Sequence, residues 1–117
     1  MSDYDPATAQ AISDTAKRVD FFYGSLSLNN KDKRTYKNFA KTMLRVDVSF
    51  HALHMHASMQ SSNQETLKMI GNTSKLWSKY KEKFKNKNRY SNVTLRLHRK
   101  RLNEMFGVML KAEISKK

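Results

Sequence analysis

A chain of 117 residues, 38% of them hydrophobic, has room for one domain (1–117) with a modest core. Its formal charge is +13 and its pI lies near 10.1. It contains no cysteine, which excludes a disulfide framework, a thiolate metal site and a cysteine nucleophile. No apolar run approaches the roughly 18 residues needed to cross a bilayer, and the acids Asp3 and Asp5 do not fit a signal peptide, so a soluble intracellular protein, cytoplasmic or nuclear, is expected.

One proline and three glycines favour long helices over many tight turns. The first helix is predicted to start with Asp5 as N-cap and Pro6 at the first helical position, then to run through Ile12, Ala16, Val19, Phe22 and Tyr23 to Gly24. A polar connection, Ser25 to Asn30, follows. From about Lys31 to Met59 the residues Tyr36, Phe39, Met43, Val46, Phe50, Leu53 and Ala57 recur three and four apart, the stripe of one long helix. A break is expected at Gln60 to Asn63.

Ser62 and Glu65 have the spacing of a capping box and place the start of a third helix, with Leu67, Ile70, Trp77, Tyr80 and Phe84 on its apolar side. Gly71 and the run Asn72-Thr73-Ser74 are weak helix formers and mark a bend or break. Beyond Phe84 the alternation of Lys and Asn toward Arg89 reads as a frayed end or loop. A last helix is expected from about Ser91 to Ser115, with Leu95, His98, Leu102, Met105, Met109 and Ala112 inward. The fold expected is therefore all-α, a small antiparallel bundle of about four helices. The alternative is an α+β fold with a β-ribbon, because Val46, Val48 and Phe50, and again Val93, Leu95 and Leu97, also alternate with strand period.

Between Lys75 and Arg101 stand eleven Lys or Arg residues against one acid, Glu82, whereas residues 1–24 sum to −2. Such a density calls for a polyanionic partner. On the second helix Lys33, Lys37, Lys41 and Arg45 fall on the side away from the apolar stripe at about 100° per residue. Each step of four residues advances about 6 Å, close to the spacing of neighbouring phosphates. Lys79, Lys83, Lys85, Lys87 and Arg89 form a second patch, and Arg96, Arg99, Lys100 and Arg101 a third. Solvated faces ordinarily mix both signs of charge.

Aromatic residues interleave with these cations. Trp77, Tyr80 and Phe84 share one helical face and are assigned to the core, which leaves Tyr90 as the candidate for stacking a base. No zinc-finger spacing or RNP-like sequence is present. The expected function is nucleic-acid binding, DNA or RNA, through the phosphate backbone with little base specificity, in a non-catalytic accessory, packaging or RNA-shielding role. The alternative is an interaction module or inhibitor that docks its basic face on an acidic protein partner. A membrane partner is disfavoured, because the apolar stripes are needed inside.

His51, His54 and His56 cluster with Met55, and Asp47 lies one turn before His51. Two ligands make a poor metal site, and no nucleophile or paired carboxylates complete a catalytic set. No metal, cofactor or enzymatic activity is therefore expected. A helix of 29 residues, about 43 Å long, is long for so small a domain, and its stripe could continue across a homodimer boundary.

Overall fold

The structure is a computed structural model that describes residues 4–60 and 63–117. It is an all-α antiparallel bundle of four helices, α1 (Pro6–Leu28), α2 (Tyr36–Ser58), α3 (Gln64–Lys87) and α4 (Asn92–Ile114), with a 3-10 turn at Lys31–Lys33. The described residues include no strand, so the β-ribbon does not form. Val46 and Phe50 are buried and Val48 is exposed, as are Val93 and Leu97 around buried Leu95. That is helical spacing, with turn-apart residues sharing a face.

Each boundary has a local cause. Asp5 caps α1 by accepting from the N–H groups of Ala7 and Thr8, both at 3.2 Å. The helix does not stop at Gly24 but continues to Leu28, because buried Leu26 adds one more turn of core contact. A glycine within a helix costs only about 1 kcal/mol, less than a buried leucine contributes.

α2 begins at Tyr36 rather than Lys31. Arg34 turns inward just before it and is only 4% exposed. Its Nε donates to the carbonyls of Leu26 (2.8 Å) and Asn29 (3.2 Å), and its Nη1 to the Tyr90 carbonyl (3.0 Å) and Asn92 Oδ1 (2.7 Å). Thr35 then caps the helix. The expected 29-residue helix is thus 23 residues long.

α3 is unbroken through Gly71 to Ser74. Buried Ile70, Thr73 and Trp77 hold this stretch against the core, and the Thr73 hydroxyl donates to the Met69 carbonyl at 2.8 Å. Packing here outweighs weak propensity. The proposed capping box rests on Ser62, which lies outside the described residues; Asn63 occupies the N-cap position, and its side-chain amide donates to the Ala57 carbonyl (3.2 Å) instead of capping. Asn88 ends the helix in the left-handed conformation (φ 53°), and its side chain accepts from the Tyr36 N–H at 2.8 Å. Ser91 caps α4 through the Thr94 N–H.

α1 packs on α2 and α4, and α3 packs on the same two, so α1 and α3 stand at opposite corners of a square. The bundle measures 50 × 20 × 18 Å. Phe22 bridges the α1–α3 diagonal, with its ring centroid 5.2 Å from that of Trp77 and 6.2 Å from that of Phe84, and it also meets Phe39 of α2 at 6.1 Å. Ile12, Phe50, Leu53, Ile70, Phe106 and Met109 fill the other half of the core. Among the described residues no helix is long and apolar enough to cross a membrane.

Candidate nucleic-acid interface

Antiparallel order decides where the cations go. α1 and α3 end where α2 and α4 begin, so the last turns of α3 meet the first turns of α4 and α2 at one end of the bundle. Dividing each helix near its middle, the half made of residues 17–46 and 76–103 holds eighteen Lys or Arg and three acids, Asp20, Asp32 and Glu82. The described remainder holds five Lys and six acids. Cations separated along the sequence thereby gather within a transverse section of about 20 Å.

The three sequence patches occupy three helices. Lys37, Lys41 and Arg45 lie exposed on the outer side of α2, with Lys33 in the 3-10 turn before it. Lys79, Lys83, Lys85 and Lys87 are exposed on α3 and Arg89 in the turn after it; Arg96, Lys100 and Arg101 are exposed on α4. Because α2 and α4 are diagonal, the patches form a collar round the end, with the α3 lysines between the other two, and not a single strip.

Two residues differ from expectation. Tyr90 is 5% exposed and offers no stacking platform. The α3–α4 turn folds it inward, where its ring lies 5.1 Å from Phe84 and 5.9 Å from Tyr23 between centroids, and its hydroxyl bonds the Tyr23 hydroxyl and His98 Nδ1. Arg99 is half-buried, and its guanidinium donates to both oxygens of Asp20, at 2.7 and 3.0 Å. Asp20 is accordingly held below the usual carboxylate range, and Arg99 is raised. Arg99 therefore ties α4 to α1 before it serves any ligand.

A groove of about 620 Å³ lies between α3 and α4 at this end. Lys31, Lys83, Lys87 and Arg89 line it with the hydroxyl residues Ser91 and Thr94, and Tyr80, Phe84, Tyr90, Leu97 and His98 form its apolar part. Tyr80 stacks on His98, with rings 3.5 Å apart and 5° from parallel. Burial, reinforced by the neighbouring charges of Lys83 and Arg101, pushes the His98 pKa down to about 4, so its imidazole is neutral at neutral pH. Burial also raises the Tyr90 and Tyr23 hydroxyls well above their ordinary range. The groove thus has a neutral floor under a cationic rim, suited to an anion that carries some apolar surface.

Lys31 and Arg34 were not singled out in the sequence because both stood in the first turn of the helix expected from Lys31, whereas the structure places them in the connection before α2. A Lys-x-Lys-Arg run beside a helix N-cap was the available signal. The histidines do not form one site: His51 and His54 line a groove between α2 and α3, where Asp47 is engaged by Trp77 Nε1 (2.8 Å) and Lys81 Nζ (2.7 Å), whereas His56 Nε2 bonds Asp5 (3.2 Å). Among the described residues no three His, Cys, Asp or Glu gather as a metal site would require. No family model, curated protein or solved structure matches this chain.

Proposed function

We propose that this protein binds nucleic acid, without catalysis, by seating phosphates against the basic end of the bundle. One observation carries this: eighteen Lys or Arg and only three acids share that half of the molecule, while the described remainder is slightly acidic. Neutralising several phosphates at once releases condensed counterions and supplies affinity that does not depend on base sequence. The α3–α4 groove supports a backbone path in which Lys83, Lys87 and Arg89 contact successive phosphates and Lys31 reaches over from the 3-10 turn. With Tyr90 turned inward, bases gain little aromatic stacking, which favours recognition by charge and shape.

The test is a salt titration of affinity for matched single strands, duplex DNA and duplex RNA. Changing Lys31, Lys83, Lys87 and Arg89 together to Gln is expected to reduce the slope of log affinity against log salt by about 3. Changing Lys68, Lys75, Lys111 and Lys117, the same number of charges from the other half, is expected to alter it by less than about 1. Equal losses from the two variants would reduce the effect to net charge. Weak binding to every polymer at near-physiological salt would instead assign the basic end to an acidic protein partner.

A further inference from the structure

The outer side of α2 presents more than cations. Directly opposite its buried stripe lies a ridge of Leu44, Val48, Ala52, Met55 and, at the helix end, Met59. The four large members are between 49% and 76% exposed, and Ala52 is exposed among them. Single exposed apolar residues are ordinary. Here, however, four of the ten large exposed hydrophobics of the described residues align on one ridge about 22 Å long. α1 flanks this ridge through Asp14 and Arg18 without covering it.

The spacing along the ridge is palindromic. Leu44 and Met59 are equidistant from the point between His51 and Ala52, and so are Val48 and Met55. A two-fold axis through that point, perpendicular to the helix, sets Leu44 of one copy against Met59 of the next and Val48 against Met55. The small Ala52 side chain then sits where two helix backbones come closest. An isologous contact requires this self-matching property of its surface.

Charge selects the same arrangement. Antiparallel pairing in this register overlaps the two halves that each hold five Lys and six acids among their described residues, and leaves the basic half of each copy overhanging the end of the other. The two basic tips then point apart, separated by about 50 Å along the helix axis, several times the roughly 8 Å screening length at physiological salt. Parallel pairing would press two basic ends together. We propose that two copies of this chain pair antiparallel across the α2 ridge, centred between His51 and Ala52. One helix face is a small contact beside the roughly 800 Å² per partner of a standard interface, so the dimer is reversible, with dissociation on the order of 10–100 μM.

The chain lacks cysteine, so single cysteines report the geometry without interference, and no nucleic acid is needed. Under mild oxidation Ala52→Cys is expected to form a covalent dimer, whereas Leu44→Cys alone does not, because its two copies stand about 22 Å apart and a disulfide spans at most about 7 Å between Cα atoms. A mixture of Leu44→Cys and Met59→Cys is expected to give the mixed dimer. Wild-type protein is expected to sediment increasingly as dimer above about 100 μM, and the Val48→Glu, Met55→Glu double variant as monomer with an unchanged unfolding transition. A wild-type monomer throughout that range, or self-linking of Leu44→Cys as fast as Ala52→Cys, overturns the proposal. A monomer that binds vesicles of anionic lipid, and is released by the double variant, overturns it in favour of a lipid surface.

Discussion

At the basic end of the bundle the connections are tied by a buried cation, Arg34, whose four bonds all go to neutral acceptors. At the opposite end the corresponding buried group is an anion, Glu113, which accepts from Lys116 Nζ (2.9 Å) and from the Asp5 N–H (3.1 Å). A carboxylate would be the ordinary partner for a buried guanidinium. Arg34 uses carbonyls instead, two of them from the end of α1, which carries no basic residue in its own last turn and so offers an uncompensated negative helix end. Arg34 thus fastens these connections with no carboxylate beside it to cancel its charge. The other end is fastened by paired opposite charges and is nearly neutral.

The largest effect expected is from Arg34→Met, which leaves the carbonyls of Leu26, Asn29 and Tyr90 without this donor and should remove about 3–5 kcal/mol of stability in urea unfolding. Glu113→Gln keeps the shape of its knot while weakening two charge-assisted bonds, and should lose about 1–3 kcal/mol in the same experiment. A loss for Arg34→Met no larger than that for Glu113→Gln would remove the distinction between the two ends.

Acid should also separate them. On acidification the unfolded chain protonates His98 near its ordinary value of about 6.5, while the folded protein keeps it neutral until about pH 4. The unfolded state therefore binds more protons within that window, and stability, complete above about pH 6.5, should fall by about 1–3 kcal/mol as the pH drops to 4. His98→Gln should flatten this portion of a stability–pH curve. The Asp5 carboxylate at the other end is held below its usual range, chiefly by the Thr8 hydroxyl and also by His56. Its contribution is present above the unfolded pKa of about 4 and is lost only below it, as pH falls through the folded value. The smallest change expected is a gain: the Tyr80 hydroxyl is buried without a hydrogen-bond partner, so Tyr80→Phe should raise stability by about 1 kcal/mol in thermal unfolding.

Periodicity was enough to identify four helices and most of their inward residues, because a repeat of three and four persists whatever the neighbours do. It also separated Trp77, Tyr80 and Phe84, which are core, from the lysines around them. Helix ends were less legible. The extension of α1 to Leu28 and the start of α2 at Tyr36 both depend on where Leu26 and Arg34 find partners in other segments. Tyr90 misled for the same reason, since a residue just past a helix looks exposed until the α3–α4 turn closes over Phe84. The gathering of the basic patches at one end follows from antiparallel order, whereas their spread into a collar follows from which helices are diagonal, and one-dimensional spacing does not carry that. Arg99 could be counted as a cation from the sequence, but its engagement by Asp20, 79 residues away, could not.

The position of Phe22 sets how the molecule can come apart. Its ring is covered by Phe39 from α2 and by Trp77 and Phe84 from α3, so an α1–α2 hairpin alone leaves one side of it in water. No pair of adjacent helices completes that cluster, and a half-assembled bundle forgoes much of its most aromatic packing. Loss of helix and exposure of Trp77, the only tryptophan, should accordingly coincide at a single transition, the mark of all-or-none unfolding.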